Sequence, residues 1–220
     1  MVKSMTAAWT QPHFGFSDEV DVTELVRARA AVKAAVADQG IQVTFMPFFL
    51  KAASAALRHF PSLNAHVNAD ASEVIYRGRH HIGFAVDSPR GLIVPNVKDV
   101  QARSLLEVAQ EISRLTALAA EGKLGEDDLT GGTFTISNVG NIGGTYTSPV
   151  LVPGTVAIGA LGGIRRVPRF DEYDNVVPVS ALNVSWSADH RVVDGATMAR
   201  FHQKWIGYLQ EPALLAAELR

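Results

Sequence analysis

The chain has 220 residues, at the upper end of what one hydrophobic core organises, so one α/β domain is the expectation and two small domains the outside case. Hydrophobic residues make up 47% and charged residues 19%, which supplies a large core and excludes a disordered chain. A formal net charge of −2, with acids and bases interspersed, leaves no footprint for nucleic acid, and the lack of cysteine excludes disulfides, thiolate metal sites and a cysteine nucleophile.

In chain order, Asp21 and Glu24 stand at capping-box spacing, so a helix is expected from there, with Leu25, Val26, Val32 and Val36 on its apolar side and Gly40 as its stop. A second helix is expected to open at Thr44 and run from Phe45 to Phe60. Pro47 is tolerated in its first turn, Pro61 lies beyond its end, and apolar residues all round it predict burial. Val74–Tyr76, His81–Val86 and Leu92–Val97 are β-branched runs between polar or glycine turns and predict strands. Ser104 and Glu107 form another capping box, for a helix reaching about Ala120. Thr133–Ser137, Thr155–Leu161 and Val176–Ala188 are strands again, followed by a helix from Gly195 to Leu209 and a short apolar one after Pro212. The irregular alternation predicts a mixed sheet with helices packed on it, and the glycines of 131–132, 140–144 and 159–163 are expected in turns. No apolar stretch is long enough for a membrane span, the longest being of the order of Phe45–Leu50, and the N-terminus carries no signal-peptide pattern; a soluble intracellular protein is expected.

The sharpest chemical feature is Ser185-Trp186-Ser187-Ala188-Asp189-His190-Arg191-Val192-Val193-Asp194-Gly195. Alternation of Leu182, Val184, Trp186 and Ala188 with polar residues brings a strand to His190, and Asp194-Gly195 opens the last helix. A histidine at such a junction is held rigidly and titrates near neutrality, as a general base must. Equally, it fits a turn residue followed by a helix cap. A metal pair needs a third ligand, and none stands at ligand spacing. Gly131-Gly132-Thr133-Phe134-Thr135-Ile136-Ser137-Asn138-Val139-Gly140 ends a strand in a Ser-Asn pair that either exposes a hydroxyl to a ligand or forms an ordinary turn; no Gly-Lys-Ser/Thr follows, so it is not a phosphate loop. His80 and His81 are adjacent on a strand and point to opposite faces, which suits structural roles. His13, His59, His66 and His202 carry no motif, and Trp186, Trp205 and Tyr208 are expected in the core.

His190-x-x-x-Asp194-Gly195 resembles the active-site signature of the chloramphenicol acetyltransferase-like acyltransferases. That superfamily includes the acyltransferase (E2) cores of 2-oxoacid dehydrogenase complexes, and peptide-synthetase condensation domains carry a related signature with a second histidine where this chain has Asp189. Pro12-His13-Phe14-Gly15, Phe45-Met46-Pro47-Phe48-Phe49-Leu50-Lys51-Ala52-Ala53, Gly91-Leu92-Ile93-Val94-Pro95-Asn96-Val97 and Thr133-Phe134-Thr135-Ile136-Ser137-Asn138 look like E2 cores in E2 order. Within them, Asn183-Val184-Ser185-Trp186-Ser187-Ala188-Asp189-His190 and Met46-Pro47-Phe48-Phe49 are most similar to the branched-chain type.

The resemblance implies an α/β chloramphenicol acetyltransferase-like fold, trimer-forming, with residues 1–220 as the catalytic core domain and the lipoyl and peripheral-subunit-binding domains absent. It implies acyl transfer between dihydrolipoamide and coenzyme A, with isobutyryl, isovaleryl and 2-methylbutyryl groups as the substrate class. His190 is then the general base, Ser137 the oxyanion donor, and Asp194 a holder of the active-site loop that a basic N-terminal arm pairs with in relatives. Coenzyme A contacts carry over to Arg29, Thr44, Asp87, Thr116, Ser137, Asn138, Asn141, Gly162 and Ile164, with no metal. Implied partners are two further copies in a homotrimer with the site between subunits, a cage of the 24-mer type, a lipoyl domain bearing the lipoyl group, and the E1 and E3 components. Nucleic acid and membrane are not among them. The compartment is the cytoplasm in a bacterium and the mitochondrial matrix in a eukaryote. An acetyl- or succinyl-specific core, a stand-alone acetyltransferase for a small hydroxylated molecule and an assembling but inactive scaffold are the alternatives.

Overall fold

The computed structural model of the chain describes residues 2–218 apart from 69, 71 and 90. It opens with helix α1 (Val2–Trp9) and strand β1 (His13–Asp21), neither of which the sequence patterning marks. In β1 only Phe14, Phe16 and Val20 alternate inward, because Asp18 breaks the pattern; its carboxylate instead accepts a hydrogen bond from His202 Nε2 at 3.1 Å. Helix α2 (Thr23–Ala35) has Val22 at its N-cap, one residue after the expected Asp21. Asp21 ends β1, paired with Ala181, and its Oδ1 accepts from the Thr23 amide and hydroxyl, so no Asp21–Glu24 capping box forms. Gly40 does stop the segment, in the left-handed conformation at φ 67°.

Helix α3 (Met46–Leu57) carries Pro47 in its first turn and is buried from Pro47 to Leu57, as its all-round apolarity predicts. The next region is more broken than expected. It comprises β2 (Ala65–Val67), β3 (Val74–Tyr76), β4 (Ile82–Phe84), β5 (Val86–Ser88), β6 (Gly91–Ile93) and β7 (Asn96–Val97), so the runs His81–Val86 and Leu92–Val97 each divide in two. The division follows pairing: β4 pairs with β7 in the main sheet, whereas β5 pairs with β6 in a separate hairpin. Helix α4 (Leu105–Glu121) starts at the Ser104–Glu107 capping box and ends at Gly122. A short α5 (Glu126–Leu129) precedes β8 (Phe134–Asn138), β9 (Ala157–Leu161), β10 (Arg165–Phe170) and β11 (Val176–Asp189), then α6 (Gly195–Gln210) and α7 (Ala213–Ala217).

The main sheet runs β1-β11-β9-β8-β4-β7, with β10 also on β11. It is mixed: β4, β8 and β9 are mutually parallel and the other pairs antiparallel. One face packs on α3 and α6 around Trp186, whose ring meets Phe201 and Trp205 edge-on at 5.2 Å each. Gly159 sits within β9 and not in the expected turn; a Cβ there would fall 2.4 Å from the Trp186 ring, so glycine lets the indole lie against the sheet. The other face carries Thr135, Ser137, Ala160, Ser185 and Ser187, and the long segment 139–155 is tied to the sheet by the Thr147 amide on Ser185 Oγ (3.2 Å) and the Leu151 amide on His13 Nε2 (3.1 Å).

Candidate active site

Strand β11 ends at Asp189 and the chain turns sharply before α6. The His190 amide donates to Pro12 O (2.8 Å), and Asp189 O accepts from the Val192 and Val193 amides at 3.0 and 2.9 Å. His190 is exposed at this turn, its ring 5.1 Å from that of Phe14. Its Nδ1 lies 3.0 Å from Val193 O. A carbonyl oxygen only accepts, so Nδ1 carries a proton, and in the neutral form of the ring the lone pair stands at Nε2. Asp194 caps α6, with Oδ1 accepting from the Thr197 amide at 2.7 Å. That hydrogen bond, foremost, holds its carboxyl below the usual range. Among the described residues Asp194 forms no ion pair.

Ser137 is half-buried near the end of β8, paired with Ala160, which in turn is level with Ser185 of β11. Ser137 is thus two strands across and five residues along from His190, roughly 19 Å at ordinary strand spacings. One chain does not bring the two together.

A cleft of about 1100 Å³ opens at the Ser137 end of the sheet. Six of the nine expected coenzyme A contacts line it: Arg29, Thr44, Asp87, Thr116, Asn138 and Asn141; Ser137, Gly162 and Ile164 do not. Arg29 donates from Nε to Val43 O (3.0 Å) and stacks over Phe45 at 4.8 Å, so its remaining guanidinium donors are held at the rim. Asn138 Oδ1 accepts from the Gly140 amide at 2.9 Å. Gly162 lies behind the wall: its amide donates to Asn183 O, and Gly140 comes so close to its carbonyl that a Cβ at 140 would sit 2.3 Å away. Ile164 packs against the core. Gln110, Ser113 and Ala117 of α4 also line the cleft and were not singled out from the sequence, although their spacing puts them with Thr116 and Ala120 on one helical face.

Four other histidines have structural partners. His80 is buried with Nδ1 2.8 Å from Ser54 Oγ, and His81 Nδ1 accepts from the Asp99 amide at 3.0 Å. His13 bridges Gln11 O and the Leu151 amide. His202 is wholly buried between Asp18 and the Trp186 indole. No group of three or more potential metal ligands occurs among the described residues.

The arrangement defines a class first. The fold is that of chloramphenicol acetyltransferase, with a TM-score of 0.62 over 94% of both chains at 13% identity, a level that speaks for the fold alone. Within that fold the chain belongs to the 2-oxoacid dehydrogenases acyltransferase (catalytic domain) family, whose model matches residues 1–217. It is 54% identical over its whole length to the mouse lipoamide acyltransferase component of the mitochondrial branched-chain alpha-keto acid dehydrogenase complex, covering 46% of that protein. The chain thus spans about half the length of the curated relatives it matches. The Azotobacter vinelandii dihydrolipoamide acetyltransferase superposes with a TM-score of 0.93 at 34% identity, over 98% of this chain and 88% of that one. Its structure was studied for the catalytic roles of a serine, a histidine and an asparagine four positions after that histidine. The cubic core of a pyruvate dehydrogenase multienzyme complex superposes equally well, at the same identity and coverage.

Proposed function

We propose that this chain transfers an acyl group between the thiols of dihydrolipoamide and coenzyme A, with branched-chain acyl groups as its substrates. The observation that carries the reading is His190, exposed at a rigid strand-to-helix turn with Nδ1–H on Val193 O and its lone pair at Nε2. A free thiol has a pKa of about 8.5 and is mostly protonated at neutral pH. Nε2 takes the thiol proton as sulfur bonds to the thioester carbonyl carbon. The tetrahedral intermediate then collapses, the second sulfur leaves, and Nε2 returns the proton to it. No covalent acyl-enzyme is needed.

Ser137 is the hydroxyl donor to the oxyanion of that intermediate. It precedes His190 by 53 residues, and Asp194 follows by four, the same interval that separates the histidine and asparagine of the Azotobacter enzyme. Asp194 steadies the turn by capping α6 and takes no part as a second base. The cleft beside Asn138 receives coenzyme A, with Arg29 facing phosphate and the apolar side chains of Phe45, Met46 and Ile142 lining the path. Because Ser137 and His190 of one chain are far apart, a complete site joins His190 of one subunit to Ser137 of a neighbour. A trimer, assembled further into a cage, meets that need. The acyl group arrives on a lipoyl domain, and the E1 and E3 components are the wider partners. The branched-chain preference rests on the 54% identity to the mouse protein.

The test is His190→Ala in the assembled protein. Acyl transfer from isobutyryl-CoA to free dihydrolipoamide is expected to fall by about 10²–10⁴-fold with the oligomer intact. Transfer near the wild-type rate would sink the reading, and a kcat/KM favouring acetyl- or succinyl-CoA would overturn the substrate class alone.

A further inference from the structure

We infer that the ion pair between buried Asp189 and solvent-exposed Arg191 is the device that holds His190 in its base-ready orientation, which makes both flanking residues positioning residues. The inference rests on the acyl-transfer reading above and adds a role that the motif comparison leaves open, since Asp189 stands where condensation domains carry a histidine.

Asp189 is 0% exposed, an extreme for a carboxylate. Its Oδ1 accepts from the Arg191 backbone amide (3.1 Å) and from Arg191 Nε (2.9 Å), while Oδ2 accepts from the guanidinium Nη2 at 2.6 Å. The side chains on either side of His190 are therefore locked to each other. The amide contact closes a tight Asx-type turn around His190 and leaves the imidazole as the group that faces outward. The Asp189 carbonyl extends the same lock by accepting from the Val192 and Val193 amides. Val193, itself fully buried, is thereby placed to receive Nδ1–H of His190.

Stability alone does not call for this arrangement. Arg191 keeps 36% of its side chain exposed, so solvent screens the pair's attraction while Asp189 still bears the cost of desolvation. What the pair contributes is geometry: the planar fork of Arg191 fits the carboxylate in one way, and lysine cannot reproduce it. If the turn loosens, Val193 O leaves Nδ1, the two imidazole tautomers become comparable, and the lone pair is no longer confined to Nε2.

The experiment uses Asp189→Asn and Arg191→Lys in the assembled protein, with steady-state kinetics, a pH–rate profile and 15N solid-state NMR of labelled histidines assigned by difference from His190→Ala. We expect kcat to fall about 10²-fold with both KM values within about twofold, a displaced pH–rate profile, and mixed His190 tautomers in place of Nδ1–H. A kcat within about threefold of wild type overturns the inference. So does a loss of kcat that leaves the tautomer and the pH profile unchanged, since that is what a merely structural residue would do. If Asp189→Asn fails to assemble, Arg191→Lys decides the matter, because it keeps the charge and removes only the fork. An active His190→Ala would refute the acyl-transfer reading itself, whereas an inactive His190→Ala beside a wild-type-like Asp189→Asn refutes this inference alone.

Discussion

At pH 7 the imidazole of His80 is neutral: burial, then the positive charges of Arg58, His81 and Lys51, push its pKa down to about 4 from 6.5. Burial also lowers that of His202, against the pull of Asp18. In the unfolded chain His80 returns to its ordinary value, so between about pH 6.5 and pH 4 the unfolded state binds a proton there that the folded state does not. Stability therefore falls as pH drops through that window, by roughly 3 kcal/mol for His80. Urea titrations of wild type and His80→Gln across the window are expected to converge toward low pH as the wild type loses this contribution; parallel curves would contradict the assignment. Ser137 belongs to the same scale. Ser137→Ala is expected to lower kcat by about 10²–10³-fold with little change in KM, because an oxyanion donor acts only in the transition state. A change confined to KM would make Ser137 a binding residue. The His190 junction, the Ser-Asn strand end and the Ser104 cap were legible as residues because each depends on neighbours within a few positions. The Asp189–Arg191 lock was not, since nothing local indicates that Asp189 is buried.

Among the elements, glycine position separates two kinds of substitution. Gly159 in β9 lies under Trp186, so Gly159→Ala forces the indole or the strand to move and is expected to cost about 1–3 kcal/mol. Gly207, in the last turn of α6, has nothing within 4 Å of where a Cβ would stand, so Gly207→Ala should stabilise by about 0.5 kcal/mol. Urea midpoints of the two variants check both signs. The elements that patterning located, α3, α4, β8, β11 and α6, have dense apolar periodicity or strong caps. Those it missed lean on partners distant in sequence. The edge strand β1 carries Asp18 inward because His202 is there to meet it. The exposed β10 contains Pro168 and is a strand only because β11 extends beyond β9 to pair with it.

On the scale of the whole molecule, a single subunit leaves large apolar side chains in water: Trp9 is 81% exposed, Tyr173 75% and Phe170 74%. Together with the separation of Ser137 from His190, these surfaces support assembly. Light scattering is expected to give a mass of at least three 23.6 kDa chains, and a monomer at assay concentration would exclude the shared site. By itself the sequence determined the α/β class, the buried helix α3, and the strand-to-helix placement of His190, since all of these follow from periodicity and capping along a continuous stretch. Only the tertiary structure decided that Asp18 meets His202, that the large cleft is lined by residues from α2 to the loop after β8, and that Ser137 and His190 lie at opposite ends of one sheet. Strand order and register are settled by hydrogen bonds between strands as distant in sequence as β1 and β11, where His13 pairs with Asp189, and local patterning carries no information about those partners.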